Sequence, residues 1–334
     1  MHKIFTIATI IILTVLVSAC SEESSSETMA QSETLQLGAM KTRAGLEVES
    51  GTAIRLILAS GTDQVSGEIT KTGDDEWQST ARVKKDVQYY IYGFMPANAA
   101  QTSSVTALPS GIANGAALTL YGVNIISRTD LSVVVGVQQL TNASDVFNVQ
   151  MGQFGYIGKD RGQNYAHLLL DRIQSSIHFE LFIDNTYSQL RTIKVKQAEL
   201  LASKGNSCDV VVTLRANNAG TNPITTIDYT LRDGSTDVSI YSNVAGTALM
   251  TDTPLTFDAN FLPVLKNYLK LKVTYDVYDS KGNYIHTRTA ENQLGSALPS
   301  LLRGEQTTLT LTVKPTYLYI LSDPDLDNPT VTIE

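Results

Sequence analysis

The stretch LKLKVTYDVY at residues 269–278 decides the fold class, because apolar and polar side chains alternate along its length. A period of two places successive side chains on opposite faces of a β-strand. The turn-forming residues DSKGN follow at 279–283, and the strand pattern resumes in YIHT at 284–287. This order predicts a β-hairpin with a glycine-containing loop.

Similar short apolar segments are present elsewhere in the chain. Examples are AIRLIL at 53–58, QYYIYGF at 88–94 and TTLTLTV at 307–313. Many short strands separated by Gly, Asn, Asp and Pro are typical of β-sandwiches, so the sequence predicts an all-β protein. Short helical turns are expected only at 186–190 and 259–265.

The N-terminal residues have the order of a bacterial lipoprotein signal. Lys3 precedes an apolar run at 4–17, and the small residues Ser and Ala then stand before Cys20. This order predicts a signal peptide at 1–19, with Cys20 as the lipid acceptor. A membrane-spanning helix is the alternative, but the run is shorter than the roughly 20 residues that a span needs.

Acyl chains on Cys20 would hold the protein to the outer membrane at the cell surface. The polar, acidic stretch SEESSSE at 21–27 cannot bury apolar surface, and we expect it to be a disordered tether. This stretch also resembles the surface-export signals of outer-membrane lipoproteins in some Gram-negative anaerobes. A plain solvated linker is the alternative, and the two interpretations do not exclude each other.

Composition limits the partners and the chemistry that we expect. The net charge is −8 and no basic stripe is present, so nucleic acid is not an expected partner. Once Cys20 is acylated, Cys208 is the only cysteine left, and its neighbours DVVV at 209–212 predict a buried thiol on a strand rather than a reactive one.

The sequence contains no recognisable catalytic constellation. His167, His178 and His286 are far apart and show no metal-ligand spacing. Phosphate-binding, hydrolase-nucleophile and zinc-binding motifs are also missing from the sequence. We therefore expect no enzymatic activity, no cofactor and no metal.

Three longer segments carry a resemblance to a known family. They are YYIYGFMP at 89–96, HLLLDRIQSSI at 167–177 and VKPTYLYILSDPDLDNP at 313–329. Each resembles a segment of the fimbrillins, the two-domain pilins of type V pili, and the last is the most specific. The resemblance implies two tandem Greek-key, transthyretin-like β-sandwich domains at 44–165 and 166–322. They would follow a lipidated tether with a removable first strand at 20–43 and precede an extension at 323–334.

The family also implies a mechanism. A pilin precursor is exported as a lipoprotein, and an arginine-specific protease removes the tether together with the first strand. An extended segment of the next subunit then fills the open sheet edge by strand addition. The resemblance therefore implies a structural subunit of a surface pilus, or fimbrium, that contributes to cell adhesion. Its expected partners are other pilus subunits, the outer membrane before processing, and host or bacterial surface ligands.

Residues for the processing step lie near the N-terminus. TLQLGAM at 34–40 alternates as Leu-x-Leu-x-Ala and would be the removable strand. Arg43 is the first arginine in the chain, and the small Ala44 and Gly45 follow it. Loop tips with small residues are preferred nicking sites, so cleavage is predicted between Arg43 and Ala44. An ordinary surface arginine is the alternative.

Residues for the donor strand lie at the other end. TVTIE at 330–334 alternates beyond the proline-rich acidic spacer DPDLDNP at 323–329, and it would offer Val331 and Ile333 to a neighbouring subunit. A terminal edge strand paired within its own domain is the alternative. The spacer lacks the glycine and the distal glutamate of a calcium-binding EF-hand loop, which favours a solvated turn.

A surface glycan-binding lipoprotein of a polysaccharide uptake system is the alternative function. Such proteins often expose aromatic platforms, and the aromatic candidates here are Trp77, Tyr89, Tyr90 and Tyr92. Alternation places Tyr89 and Tyr90 on opposite faces, which predicts core and surface positions rather than a platform. Because both a removable strand and a donor strand are predicted, the sequence favours a stalk subunit over a tip subunit.

Overall fold

Alternating and apolar segments form β-strands along nearly the whole chain, and the all-β prediction is confirmed. The structure is a computed structural model. It describes residues 32–43, 48–61, 63–74, 76–107, 116–216, 222–298, 302–314 and 330–333. Within these ranges, helical structure consists of α1 (Asn185–Leu190) and the 3-10 helices Ala97–Ala99 and Pro263–Tyr268.

The strands are named in chain order. They are β1 Ser32–Thr34, β2 Gln36–Thr42, β3 Ala53–Ser60, β4 Asp63–Lys71, β5 Trp77–Ser79, β6 Arg82–Lys84, β7 Gln88–Met95, β8 Thr102–Ala107, β9 Ala116–Val123, β10 Ile126–Ser127, β11 Ser132–Leu140, β12 Gly155–Ile157, β13 Tyr165–Arg172, β14 Ser175–Ile183, β15 Arg191–Ala202, β16 Cys208–Leu214, β17 Ile224–Leu231, β18 Thr236–Ala248, β19 Leu255–Phe261, β20 Leu269–Asp279, β21 Tyr284–Gln293, β22 Gln306–Lys314 and β23 Thr330–Ile333.

The largest sheet has the strand order β2-β13-β11-β7-β3-β4-β5, and β12 also pairs with β7. All its pairs are antiparallel except β2–β13, which is parallel. The sheet is curled, so that its two outer strands β2 and β5 approach each other. One face lies on an apolar cluster that we call the first core. It consists of Leu35, Ile54, Leu56, Leu58, Ile69, Ala81, Val83, Tyr89, Ile91, Met95, Val134, Val137, Tyr156, Ala166, Leu168 and Leu170.

The other face of this sheet contributes to a second, larger apolar cluster. That cluster also contains inward side chains of the sheets β17-β16-β9-β8 and β18-β15-β20-β21. The sheet β10-β19-β14-β22-β23 contributes side chains from β10, β19, β14 and β22. Central strands of the largest sheet are therefore buried on both faces, which accounts for apolar runs such as AIRLIL. Cys208 is fully buried on β16, as predicted, and burial raises the pKa of its thiol to about 11.

The predicted hairpin at 269–287 is confirmed. β20 and β21 pair antiparallel, and Asp279 donates its N–H to the carbonyl of Asn283 at 2.9 Å across the turn. Gly282 has a φ of 82°, a left-handed conformation that glycine adopts without strain. The helical turn expected at 186–190 is present as α1. Of the other expected turn, residues 259–261 belong to β19 and residues 263–265 begin the 3-10 helix Pro263–Tyr268.

The strand pairings cross the domain boundary that the sequence places near residue 165. β13 belongs to the largest sheet, and the chain changes sheets between Arg172 and Ser175. β9 pairs with β16 from the second half of the chain. Ser32–Glu334 form one compact unit. The residue ranges given for two separate domains stay a prediction.

Candidate processing site and sheet edges

β2 is the terminal strand of the largest sheet and ends beside the predicted processing site. It pairs parallel with β13, from Gln36 opposite Tyr165 to Thr42 opposite Leu170. Main-chain hydrogen bonds continue past both ends of the strand. At the start, Leu35 donates its N–H to the carbonyl of Ala81 at 2.9 Å. At the end, the N–H of Arg43 donates to the carbonyl of Leu170 at 2.9 Å.

The apolar side chains of this segment complete the first core. Leu35 is 1% exposed, and Leu37 and Met40 pack against the same cluster. The register between β2 and β13 shifts between Ala166 and His167, which marks a bulge in the pairing. The simple Leu-x-Leu-x-Ala pattern is therefore wrong at its last position. Met40 contacts the core in place of Ala39, because a bulge reverses the alternation.

Gly38 lies where β2 passes over buried side chains of its neighbours. A Cβ atom at this position would lie 2.7 Å from Cδ1 of Leu140 and 2.9 Å from the His167 ring. Both of these residues are buried. The glycine therefore allows β2 to approach the sheet closely.

His167 lies on β13 beneath β2. Its Nδ1 lies 3.2 Å from Oε1 of Gln138, and its ring stacks on Phe147 with centroids 5.1 Å apart. The Lys41 ammonium lies 4.6 Å from the centre of the Phe147 ring. Burial lowers the pKa of His167, with Lys41 acting in the same direction and Asp145 opposing it.

The guanidinium of Arg43 is paired with a buried carboxylate. Its Nη1 lies 2.9 Å from Oδ2 of Asp171, and Nη1 of Arg303 lies 2.9 Å from the same oxygen. The Asp171 side chain is 10% exposed, whereas that of Arg43 is 43% exposed. Arg43 is therefore an exposed arginine whose guanidinium is held by an ion pair, and its role as a cleavage site stays a prediction.

A second ion pair, in which both side chains are buried, lies next to this one. Arg172 pairs through Nε with Asp130, and its Nη2 donates to Oδ1 of Asn260 at 3.4 Å. Burial raises the pKa of Asp130 to about 6, although the charge of Arg172 opposes this shift. Adjacent residues of β13 thus contribute one charge to each pair.

The candidate donor strand pairs within its own chain. β23 lies antiparallel to β22 at one edge of its sheet, with Val331 opposite Val313 and Ile333 opposite Leu311. In a single copy of the chain, β23 is thus a terminal edge strand paired within its own sheet, which was the alternative interpretation. Donation to a neighbouring subunit stays a prediction.

Other predicted site residues lie outside the described residues. They are the lipidation site Cys20, the residue Ala44 after the predicted cut, and the acidic spacer 323–329. In the ranges that the structure describes, no group of three or more His, Cys, Asp or Glu side chains could hold a metal ion. No helix in those ranges is long and apolar enough to cross a membrane.

The aromatic candidates for a glycan platform belong largely to the interior. Tyr89 and Tyr92 are buried on opposite faces of the sheet, and Tyr92 lies 5.0 Å from Phe154 between ring centroids. Tyr90 is half-buried and packs against the second, larger apolar cluster. Trp77 packs partly against the first core. Both faces of β7 are covered, which the alternation could not reveal.

Sequence reasoning identified Arg43 but missed its partners. Asp171 and Arg172 are adjacent charged residues inside the largely apolar segment 167–177. Their unusual position was the only sign in the sequence that they have charged partners. Nothing in the sequence around Arg303 indicates a contact with Asp171.

No family model and no curated protein matches the chain. Solved structures with a similar strand arrangement include a candidate cell adhesion protein from Bacteroides uniformis, with 12% identity and a TM-score of 0.43 over 91% of this chain and 96% of that one. A fimbrial protein from Bacteroides vulgatus has 15% identity and a TM-score of 0.39 over 90% and 97%. The fimbrial anchor protein Mfa2 from Porphyromonas gingivalis has 10% identity and a TM-score of 0.29 over 91% and 95%. Likeness at this level assigns neither a family nor a function to the chain.

Proposed function

We propose that this chain is a structural subunit of a surface pilus. It is exported as a lipoprotein acylated at Cys20, cut between Arg43 and Ala44, and joined to other pilus subunits by donor-strand exchange. The observation that carries this proposal is the position of β2. It is the terminal strand of the largest sheet, and it ends at the arginine that the sequence singles out.

A single cut after Arg43 would change the sheet in a defined way. It would detach β1, which pairs with β6, and β2, which pairs with β13. The edge of β13 from Tyr165 to Leu170 would then present main-chain N–H and C=O groups without partners. Such an edge readily pairs with an extended segment of another chain.

The same cut would open an apolar groove. Leu35, Leu37 and Met40 would leave the first core. Full burial of a side chain such as Leu35 stabilises a protein by about 1.5–3 kcal/mol, and the partly buried Leu37 and Met40 contribute less. The processed chain therefore gains stability when a new strand restores both the main-chain pairing and the apolar contacts. Strand addition supplies both at once.

The segment that fills this groove is proposed to be β23 of a neighbouring subunit. In a single chain, β23 is a short terminal strand whose pairing with β22 extends from Thr330 to Ile333. A short edge strand can leave β22 and pair with β13 of a neighbouring subunit, because its departure leaves the interior strands of its own sheet paired. The assembled pilus would lie at the cell surface, where it contributes to adhesion.

The mature N-terminus of fibres taken from the cell surface tests this proposal. Wild-type fibres should begin at Ala44. The Arg43→Ala variant should remain a lipid-anchored precursor that does not polymerise. Arg161→Ala is a matched control, because Arg161 is also an exposed turn arginine, and this variant should be processed and assembled normally. Fibres that begin elsewhere, or assembly of the Arg43→Ala variant, would contradict the proposal.

A further inference from the structure

We infer that Asp171 is a positioning residue for processing: it holds Arg43 against the sheet and thereby sets how readily the Arg43–Ala44 bond is cut. This inference rests on the proposed function, since it concerns the same bond. Hydrolysis adds one water across that bond, leaving a carboxylate on Arg43 and an amine on Ala44. Water is the co-reactant, and the catalyst is an endopeptidase that recognises arginine.

Both the side chain and the main chain of Arg43 are fastened to the end of β13. The guanidinium bonds Oδ2 of Asp171 at 2.9 Å, and the N–H bonds the carbonyl of Leu170 at 2.9 Å. The carboxylate itself is held in place, because its Oδ1 accepts the N–H of Arg172 at 3.1 Å. Arg43 is thus docked on consecutive residues of a strand.

A docked arginine is a poor substrate for an arginine-directed peptidase. The enzyme has to take the guanidinium into its specificity pocket and bind the main chain beside the cut. While Arg43 is docked, its guanidinium is bonded to Asp171 and its main-chain N–H is bonded to Leu170, so neither group is free to bind the enzyme. When opening and closing are fast, cleavage follows the population of the opened form. The strength of the Arg43–Asp171 contact therefore sets the rate.

Arg303 weakens this contact by sharing the same carboxylate oxygen. Two guanidinium groups that share one oxygen repel each other, and this repulsion reduces the net attraction between Arg43 and Asp171. Arg303 has a further anchor, since its Nη1 donates to the carbonyl of Arg172 at 3.2 Å. It therefore stays in place when Arg43 leaves.

This sharing also explains how the strand can depart at low cost. Removing one partner of a buried ion pair normally leaves an uncompensated charge, which is strongly destabilising. Here Arg303 remains on Asp171 after Arg43 has left with β2. The Asp171 carboxylate is therefore paired both before and after processing. The contact with Arg43 can be lost without leaving an unpaired charge in the protein.

The two partners give predictions of opposite sign. Limited trypsin digestion of the full-length precursor in detergent, followed by mass spectrometry, measures the rate of cutting after Arg43. Asp171→Asn should raise this rate about threefold to tenfold, because the amide keeps the shape and loses the charge. Arg303→Gln should lower it about twofold to fivefold, because Arg43 then has Asp171 to itself.

Two controls separate this effect from general loosening of the fold. Cutting after Lys281, in the exposed turn between β20 and β21, is an internal reference that should not change. Asp160→Asn removes an exposed ion pair with Lys85 of 2.7 Å that does not involve Arg43, and it should leave cutting after Arg43 unchanged. Asp171→Glu keeps the charge and should stay near the wild-type rate.

The outcomes are decisive in either direction. An unchanged Arg43 rate in Asp171→Asn, or acceleration by Arg303→Gln, overturns the inference. If Asp171→Asn also speeds cutting after Lys281, it has loosened the fold, and Arg303→Gln alone decides: slower cutting supports the inference and any other result refutes it. Fibres that begin elsewhere would refute the proposed function and leave these rates unaffected. Equal rates together with normal fibres would refute the positioning role alone.

Discussion

Replacing Gly38 by alanine is expected to loosen β2 from the sheet, because a Cβ atom has no room at this position. It would lie 2.7 Å from Cδ1 of Leu140 and 2.9 Å from both Cδ2 and Nε2 of His167. Approaches this short require one of the groups to move. Leu140 and His167 are 1% and 2% exposed, so neither side chain can swing into solvent.

The size of the effect follows from two opposing terms. Overpacking a tight site costs about 1–3 kcal/mol. Alanine also restricts the unfolded chain more than glycine, which returns about 0.4–1 kcal/mol. We therefore expect the docking of β2 to weaken by about 1–2 kcal/mol. That corresponds to an increase of about fivefold to thirtyfold in the population with β2 detached.

Amide hydrogen exchange measured on peptides that cover β2 tests this expectation. Exchange of Gln36–Thr42 should accelerate in Gly38→Ala, whereas exchange in β20 should not. Gly155→Ala is the matched control on β12 of the same sheet, because its added methyl would lie 3.5 Å from Nε2 of Gln88, an ordinary contact. Equal exchange of β2 in the two variants would refute the reasoning from close approach.

Two further predictions concern pH and the chain end. Burial lowers the folded-state pKa of His167 below its unfolded value of about 6.5, so the folded protein binds this proton less readily. The resulting stability is complete above about pH 6.5 and is lost as the pH falls toward the lowered pKa. Urea midpoints between about pH 7 and 5 should therefore fall less steeply in His167→Gln than in the wild type, and equal slopes would contradict this. A chain that ends at Ser322 should form no polymers while its monomer melts at nearly the wild-type temperature; a large loss of monomer stability would mean that β23 completes its own sheet.

Alternation was sufficient to predict the fold class and the hairpin at 269–287, because both depend on neighbouring residues. The same rule failed at Ala39, where a bulge that depends on β13 reverses the pattern. It also predicted one core face and one surface face for Tyr89 and Tyr90, although strands distant in sequence cover both faces of β7. Local patterns carry no information on which distant strands pack together.

The candidate site shows the same limit. Arg43 could be identified because it follows an alternating segment and precedes small residues. Its partner Asp171 lies 128 positions further along the chain, and Arg303 lies a further 132 positions beyond Asp171. Arg43 reaches the other two only because β2 pairs parallel with β13. A parallel pair requires a long crossover connection, which here extends over the intervening sheet strands.

That parallel pairing bears on how the strand can be removed. An interior strand is joined to the sheet by the chain at both of its ends, and its release would take two cuts. β2 is joined to the rest of the sheet by a single connection, which begins at Arg43. The residues that precede β2 are released together with the strand when this connection is cut. One hydrolysis therefore frees both the six paired positions along β13 and the apolar contacts of Leu35, Leu37 and Met40. The strand that replaces β2 has to satisfy the same edge and the same core, so the geometry of the removed strand defines what a donor must supply.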